Sequence, residues 1–195
     1  MMIQILEYAK ELLRQTASPT GTGVDLTMGN GHDTLFLSRL YSQGQVYAFD
    51  IQQQAVENTR ALLEEAGQCQ NTKLILDSHS NLDQYVPGPI DGALCNLGYL
   101  PGGDKSVTTR RETTRLAIEK TLQRLKPGGI LAVAIYPGHE EGALEGEMLQ
   151  ELGRSLCQKE YDVLLHRLIN VPHSPYLICF QRRKQKHGGA SATTA

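Results

Sequence analysis

The sequence predicts an α/β fold whose doubly wound, mostly parallel sheet has seven strands and ends in an antiparallel hairpin. Two observations support this prediction. Short apolar segments alternate with amphipathic helical segments along most of the chain, which is typical of a parallel sheet covered by helices. The last two β segments are joined only by residues 171–175. So short a connection permits only an antiparallel pair, because a parallel crossover needs about a dozen residues or more.

Each element follows from a local pattern. Apolar residues from Ile3 to Leu13 recur at helical spacing, and Ser18-Pro19-Thr20-Gly21 ends this first helix. Strands and further helices then alternate. The predicted strands are 24–28, 46–49, 73–76, 90–95, 130–135, 162–170 and 176–182, and the further helices are 32–41, 52–66, 108–125 and 140–158.

Length and composition predict a single domain over residues 1–182. A chain of 195 residues with 40% apolar and 21% charged residues can bury a core without disulfide or metal staples. Charges interrupt the first apolar segment and no run reaches the length of a membrane span, so we expect a cytoplasmic protein without a membrane segment. Residues 183–195 are basic and then rich in Gly, Ala, Ser and Thr, which predicts a disordered tail.

Cysteine usage and charge exclude some classes of function. Cys69, Cys95, Cys157 and Cys179 are scattered without a CxxC or Cys/His cluster, so we expect reduced thiols and no metal. The net charge of −2 gives no global sign of nucleic-acid binding. An RNA substrate would therefore have to meet a local basic patch.

A glycine-containing loop follows the first predicted strand, where doubly wound sheets bind nucleotides. Glycines allow close approach of a ligand to the backbone, and the N-terminus of the next helix attracts an anionic group such as a methionine carboxylate or a pyrophosphate. A tight turn would explain the same glycines, and a first-turn helix carboxylate would explain Asp33. The candidate cofactor-binding residues here are Thr27, Gly29, Asn30, Gly31 and Asp33.

A second cofactor signal is Asp50, which ends the second predicted strand 19 positions after Gly31. A carboxylate there can accept hydrogen bonds from both ribose hydroxyls of an adenosine, although Asp50 could instead cap the next helix. Gln52, Ser78 and His79 follow the second and third strands and could reach the same adenosine. The combination of these features favours a cofactor site over three unrelated structural roles.

These segments resemble a known family. Asp25-Leu26-Thr27-Met28-Gly29-Asn30-Gly31 resembles the Asp-x-Gly-x-Gly-x-Gly loop of class I methyltransferases, with Thr27 replacing the first glycine. Together with Phe49-Asp50, Asp77-Ser78-His79, the string from Asn96 to Asp104 and Tyr136-Pro137-Gly138-His139, it resembles the small "putative rRNA methylase" family over about residues 1–182. The resemblance implies a Rossmann-like fold and S-adenosylmethionine as cofactor. It further implies, through characterised members, methylation of 5-aminomethyl-2-thiouridine at the tRNA wobble position.

The loop after the fourth strand is the candidate acceptor site. Asn96-Leu97-Gly98-Tyr99 resembles in position the Asn-Pro-Pro-Tyr string of amino methyltransferases. That resemblance implies that Asn96 accepts a hydrogen bond from the target amine and that Tyr99 stacks on the base. Without it, Asn96 is equally a turn residue and Tyr99 a packing ring.

The acceptor nitrogen must be neutral to attack, whereas an alkyl amine has a pKa of about 10 in water. A histidine is a fitting proton acceptor. His139 after the fifth strand is the candidate catalytic base, His173 in the hairpin is the other histidine considered, and Tyr136 could line the same pocket. A loop histidine that is merely solvated or hydrogen-bonded is the simpler interpretation of both.

Contacts with the anticodon arm of a tRNA would need cations beside this loop. Basic residues there would neutralise phosphates, but nearby Glu112 and Glu119 equally suggest a solvated, salt-bridged face. A homodimer is a plausible way for a small enzyme to grip the arm. The candidate RNA contacts are Lys105, Arg110, Arg111 and Arg115, together with Tyr136 and His173.

Three alternatives remain from the residues themselves. Methylation of ribosomal RNA or of a small metabolite would use the same cofactor site. An NAD-dependent oxidoreductase would share the glycine loop and Asp50, although Thr34 stands where G-x-G-x-x-G has its third glycine. A module that binds the cofactor without catalysing methyl transfer would have the same glycine loop and Asp50.

Overall fold

The computed structural model describes residues 4–100, 102 and 107–184. Seven strands form one sheet in the order β3-β2-β1-β4-β5-β7-β6. The strands are β1 Thr22–Asp25, β2 Gln45–Asp50, β3 Thr72–Leu76, β4 Ile90–Asn96, β5 Leu125–Ile135, β6 Tyr161–His166 and β7 Tyr176–Arg182.

Strand directions confirm the predicted topology. β1 to β5 are parallel to one another, whereas β7 runs antiparallel to both β5 and β6. The crossover order places β1 and β4 side by side at the centre, where the connections switch from one face of the sheet to the other. In such sheets ligands bind at the carboxyl ends of the central strands.

Helices cover both faces of the sheet. They are α1 Ile5–Thr16, α2 His32–Leu40, α3 Gln53–Glu65, α4 Leu82–Tyr85, α5 Arg111–Arg124 and α6 Glu140–Ser155. β5 shows the division into two layers, because its side chains alternate between the faces. Ile130 and Ala132 pack in the cluster that includes residues of α1 and α2, whereas Leu131 and Val133 pack in the cluster that includes residues of α5 and α6.

Element boundaries differ from the predictions at several points. The first strand ends at Asp25 rather than at residue 28, since the Asp25 side chain accepts a hydrogen bond from the Thr27 amide and turns the chain. The fifth strand begins at Leu125 rather than at residue 130, and its pairing with β4 has a register shift between Ile90 and Gly92. A short 3₁₀ helix, His79–Asn81, and α4 were not predicted, because segments this short carry too little periodicity.

The loops that carry the candidate site residues lie at the carboxyl edge of the sheet. Loops after β1, β2, β4 and β5 leave this edge, and the connection from β6 to β7 returns to it, since Tyr176 pairs with Ile135. Among the described helices, none combines the length and apolar character needed to cross a bilayer.

Candidate active site

The glycine loop has the backbone conformation that its sequence suggests. Gly29 and Gly31 have φ angles of +50° and +85°, which residues with a side chain rarely adopt. A Cβ at Gly31 would lie 2.8 Å from the Cα of Thr59 on α3. Gly31 is also the N-cap of α2, without a side-chain cap from the residues described. The loop therefore lies tightly against α3, and α2 begins directly after it.

Asp50 joins two of the predicted cofactor segments. Its Oδ2 accepts a hydrogen bond from the Gly29 amide at 3.1 Å and its Oδ1 one from the Gln52 amide at 3.0 Å. The structure thus brings Gly29, Asp50 and Gln52 together. Asp50 stabilises a turn in this way but does not cap α3, which was the simpler alternative, because the N-cap residue is Gln52 and it has no side-chain cap. Each carboxylate oxygen of Asp50 can accept a further hydrogen bond.

One residue at this edge was missed from the sequence. Ile51, between Asp50 and Gln52, is 58% exposed, an unusual position for a large aliphatic side chain in a turn. An apolar surface beside the Asp50 carboxylate would suit the flat face of a purine. The available signal was the isoleucine directly after the strand-ending aspartate.

Asn30 and the body of the loop are fixed by α3. Asn30 Oδ1 accepts a hydrogen bond from Asn58 Nδ2 at 2.9 Å, and Thr59 Oγ1 donates to the Gly29 carbonyl at 3.2 Å. Asn30 thus holds the loop in shape through its side chain. A cofactor contact from Asn30 stays a prediction.

Asp25 is a fully buried carboxyl beneath the loop. It accepts hydrogen bonds from the Thr27 amide at 3.1 Å and from Thr34 Oγ1 at 2.6 Å. Burial, and secondarily the charge of Asp33, raises the pKa of Asp25 to about 7. In the sequence Asp25 is only one residue of the motif, whereas in the structure its burial brings its pKa into the neutral range.

Thr27 connects the cofactor loop to the acceptor loop. Its Oγ1 accepts a hydrogen bond from the Asn96 amide at 2.7 Å. A glycine at position 27 would offer no such acceptor. The departure from the glycine-rich motif therefore has a structural function in this chain.

Asp33 lies between a cation and the candidate acceptor residue. Its Oδ1 forms an ion pair with Lys10 Nζ at 2.9 Å, and its Oδ2 accepts a hydrogen bond from Asn96 Nδ2 at 2.6 Å. Asp33 and Asn96 were assigned to different parts of the site by sequence, and the structure puts them in direct contact. Lys10, on α1, was not predicted as a site residue, because one lysine on an amphipathic helix gives no signal.

Ser78 and His79 lie after β3 but are turned toward the protein. Ser78 Oγ accepts a hydrogen bond from the Ser80 amide at 3.3 Å and caps the 3₁₀ helix. The buried His79 ring donates from Nδ1 to the Leu26 carbonyl at 3.0 Å, which leaves Nε2 as an acceptor without a partner among the described residues. Burial lowers the pKa of His79, so the ring is neutral at pH 7.

Tyr99 and His139 face each other across the acceptor side. Their ring centroids are 6.4 Å apart, and Tyr99 is 42% exposed. His139 Nδ1 accepts a hydrogen bond from the Gly142 amide at 3.0 Å and caps α6. In the neutral ring the proton is then on Nε2, so His139 can take a substrate proton only by giving up this cap.

A buried carboxyl that the sequence did not reveal anchors the acceptor loop. Glu145 on α6 accepts hydrogen bonds from Thr109 Oγ1 at 2.9 Å and from Thr114 Oγ1 at 2.6 Å. Thr109 Oγ1 in turn accepts one from the Gly98 amide at 2.9 Å. Burial raises the pKa of Glu145. Its position inside an acidic helix gave no signal that it faces the core.

The remaining candidates lie around this edge. Tyr136 is half-buried, and burial together with the charge of Asp33 raises its pKa. His173 is exposed in the hairpin connection, with a φ of +57°. Their contacts with a substrate stay predictions.

The predicted RNA-binding arginines are exposed, but two of them have acidic partners. Arg111 Nε lies 3.6 Å from Glu141 Oε1, and Arg115 Nε lies 2.8 Å from Glu119 Oε1. Arg110 precedes α5 and is exposed. Lys105 lies outside the described residues.

The sheet order, the glycine loop after β1, the carboxylate after β2 and the antiparallel β7 beside β5 define a class I methyltransferase. The "Putative rRNA methylase" family model matches residues 46–182, and the chain belongs to this family. The comparison thereby confirms the family resemblance and leaves the NAD-dependent oxidoreductase without support.

Three relatives illustrate the similarity. A chloroplastic tRNA (mnm(5)s(2)U34)-methyltransferase of Arabidopsis thaliana is 33% identical over 91% of this chain and 69% of its own length. A "putative rRNA-methylase" of Clostridium thermocellum is 36% identical, with a TM-score of 0.90 over 93% of this chain and 99% of that one. A "putative methyltransferase" of Streptococcus mutans in complex with SAH is 38% identical, with a TM-score of 0.86 over the same shares.

Proposed function

We propose that this protein transfers a methyl group from S-adenosylmethionine to the exocyclic amine of 5-aminomethyl-2-thiouridine at the tRNA wobble position. The observation that carries the proposal is the position of Asn96. Its backbone is bonded to Thr27 of the cofactor loop and its side chain to Asp33 at the start of α2. A hydrogen-bonding amide is thus held directly beside the cofactor loop.

The residues present fit this cofactor. The Asp50 carboxylate, already held by two backbone amides, would accept the ribose hydroxyls, and Ile51 would cover the adenine. The N-terminus of α2 at Gly31 would take the methionine carboxylate. Asp50 and, when it is ionised, Asp25 place negative charge beside the loop, which suits a ligand of net positive charge. When bound, S-adenosylmethionine supplies an electrophilic methyl group on a positively charged sulfur, and SAH is the product left after transfer.

On the acceptor side, Asn96 Oδ1 would accept a hydrogen bond from the amine and direct its lone pair toward the methyl group. Positioning of this kind supplies most of the rate in a direct displacement. Tyr99, exposed at the rim, would stack on the base. Tyr136 and His173 would line the outer part of the pocket, and His139 would take the proton after releasing its cap on α6.

The tRNA substrate is supported by the printed name of the plant relative, which is similar over most of this chain. Arg110 is the best candidate for a phosphate contact, followed by Arg111 and Arg115, and Lys105 is a further candidate from the sequence alone. Arg111 and Arg115 would have to exchange carboxylate partners for phosphates, which reduces what each adds to affinity.

Nucleoside mass spectrometry tests the proposal. Purified protein and S-adenosylmethionine are added to tRNA from cells that stop at 5-aminomethyl-2-thiouridine. We expect conversion to the methylaminomethyl nucleoside, loss of conversion in Asp50→Ala, and normal conversion in Glu64→Ala, a control at an exposed position near the end of α3. Cofactor binding without conversion would contradict the tRNA assignment, and labelling of bulk RNA would then test ribosomal RNA as the acceptor.

We further propose a homodimer formed through β6. This edge strand exposes Val163, Leu164 and Leu165, and the following Ile169 is 97% exposed. Exposed edges with consecutive apolar residues are normally covered. Light scattering of the native protein should give twice the mass of one chain, and light scattering of Leu164→Lys should give the mass of one chain. A monomeric native protein would contradict this.

We also propose a cytoplasmic location. The four cysteines are unpaired in the structure, which suits a reducing compartment. The plant relative is named chloroplastic. Detection of the protein by cell fractionation outside the cytoplasm would contradict the proposal.

A further inference from the structure

We infer that Lys10 and Asp33 form a positioning pair that fixes the Asn96 amide in the orientation needed to accept a hydrogen bond from the substrate amine. The inference rests on the proposed amine methylation, because it assigns Asn96 to the acceptor. It adds a residue of α1 to the site and gives Asp33 a task on the acceptor side of the cofactor loop.

The orientation of Asn96 follows from the chemistry of its contact with Asp33. A carboxylate only accepts hydrogen bonds, so the amide must turn Nδ2 toward Asp33 Oδ2, at 2.6 Å. The opposite orientation would place two oxygens against each other at this distance. Because Nδ2 is engaged, Oδ1 is the end of the amide left for the amine.

The backbone of Asn96 is fixed as well. Its amide donates to Thr27 Oγ1 at 2.7 Å, and the next amide, of Leu97, donates to the Ala134 carbonyl of β5 at 2.9 Å. With the backbone held from both sides, rotation of the amide is the main freedom left to this side chain. Asp33 removes that freedom.

Lys10 solves an electrostatic problem that Asp33 creates. An unpaired Asp33 carboxylate near the substrate would favour the ammonium form of the substrate amine, and an ammonium cannot attack a methyl group. Lys10 Nζ lies 2.9 Å from Asp33 Oδ1, and the two side chains are only 14% and 10% exposed. The pair therefore orients Asn96 while adding little net charge to the pocket.

Other charged groups face this pair, and they set the background for any pH effect. Glu7 on α1 lies 3.6 Å from Lys10, and Asp25 and Tyr136 feel the charge of Asp33 from β1 and from the end of β5. None of them is bonded to Asn96 in the contacts of the described residues. Removal of Lys10 should therefore act on the substrate amine mainly through the uncompensated charge of Asp33.

The test compares methyl transfer to the tRNA from pH 6 to 9 in the native protein, Lys10→Met, Lys10→Arg and Asp33→Asn. Lys10→Met should reduce kcat about tenfold and move the acidic limb of the profile up by about one pH unit, because the ammonium form is favoured. Lys10→Arg should keep most of kcat. Arg14, one turn further along α1, is paired with Glu11. Arg14→Met is therefore the matched control and should change neither kcat nor the position of the acidic limb.

The double variant separates charge from structure. Lys10→Met combined with Asp33→Asn contains no unpaired carboxylate, so its acidic limb should return to the native position while kcat stays low. S-adenosylmethionine affinity, measured by calorimetry, should stay within about threefold in every variant, since the pair acts on the acceptor side. A loss of kcat with an unshifted acidic limb in Lys10→Met would overturn the inference.

An NMR measurement keeps the inference testable even if the tRNA is the wrong substrate. The side-chain amide of Asn96, assigned by its absence in Asn96→Ala, should have one proton strongly shifted by the carboxylate. Asp33→Asn should remove that shift, whereas Arg14→Met should not. Inactive native protein with this NMR response would refute the proposed substrate alone. If the chemical shifts of the Asn96 side-chain amide protons are unchanged in Asp33→Asn, the positioning pair is refuted.

Discussion

Thr27 Oγ1 accepts a hydrogen bond from the Asn96 amide over 2.7 Å, although 69 residues separate them in sequence. The bond joins the loop after β1 to the loop after β4, at the two neighbouring strands in the centre of the sheet. The bond thereby links the loop that we propose binds the cofactor to the loop that we propose positions the acceptor. A change in one loop should be felt in the other.

Replacement of Thr27 by alanine should damage the acceptor side more than the cofactor side. The Asn96 amide would lose its acceptor, at a cost of about 1–3 kcal/mol if it stays buried. We expect kcat for methyl transfer to fall several-fold with little change in S-adenosylmethionine affinity. Thr27→Ser keeps the hydroxyl and should behave like the native protein, as measured by urea unfolding and methyl transfer. Equal activity of the alanine and serine variants would contradict this role.

Gly31→Ala should destabilise the protein and abolish cofactor binding. The residue has a φ of +85°, and an added Cβ would lie 2.8 Å from the Thr59 Cα, where neither backbone can yield easily. Gly67→Ala is the matched control, because Gly67 also has a positive φ, +65°, but nothing lies within 4 Å of its Cβ position. The control should lose only about 1 kcal/mol of unfolding free energy and keep its affinity.

Calorimetry and thermal unfolding measure both effects. If Gly31→Ala costs no more stability than Gly67→Ala, the close packing of the loop against α3 is not what requires glycine there.

The sequence was sufficient to predict the sheet because its information is local and repeated. Each strand has its own apolar run, and the length of the 171–175 connection alone determined the antiparallel pair. The family strings then located the glycine loop, Asp50 and Asn96 at one edge. These predictions depend on the fold class, which the alternation of strands and helices indicates.

The contacts among those residues could not be predicted in the same way. Lys10 and Glu145 each lie on an ordinary amphipathic helix, and only the packing of α1 and α6 turns them inward. His79 and Ser78 stand in the expected loop, yet their side chains bond to Leu26 and Ser80 of the protein itself. Such details depend on side-chain direction and long-range packing, which a single sequence does not reveal.

Cofactor binding should release protons near pH 7 through Asp25. Burial and the neighbouring Asp33 raise its pKa from 3.8 to about 7, so the carboxyl is partly protonated at neutral pH. A ligand of net positive charge favours the ionised form, and the proton leaves on binding. Titration calorimetry in buffers of different ionisation enthalpy should show this release, and Asp25→Asn should abolish it.

Stability should show the same titration with a definite sign. The folded pKa of Asp25 lies above the unfolded value, so its contribution to stability is complete below about pH 4 and is lost as the pH rises toward 7. The unfolding free energy of the native protein should therefore decline over this range relative to Asp25→Asn. Parallel pH profiles of the two proteins, without any proton release, would show that Asp25 is ionised throughout.

Glu145→Ala should loosen the acceptor loop while leaving the cofactor site intact. Its carboxyl holds Thr109 and Thr114, and Thr109 in turn holds the Gly98 amide. Loss of this buried acceptor leaves two hydroxyls without their partner, so we expect about 2–4 kcal/mol lower stability. We also expect a fall of kcat greater than any rise in the Kd for S-adenosylmethionine.

Glu147→Ala is the matched control for this experiment, because Glu147 is exposed on the same helix two residues further along. It should leave kcat and unfolding unchanged. Glu145→Gln keeps one oxygen as an acceptor and should fall between the two alanine variants in both measurements. Methyl-transfer kinetics and urea unfolding of all three decide the matter, since equal kcat in Glu145→Ala and Glu147→Ala would mean that the anchored loop has no part in presenting the acceptor.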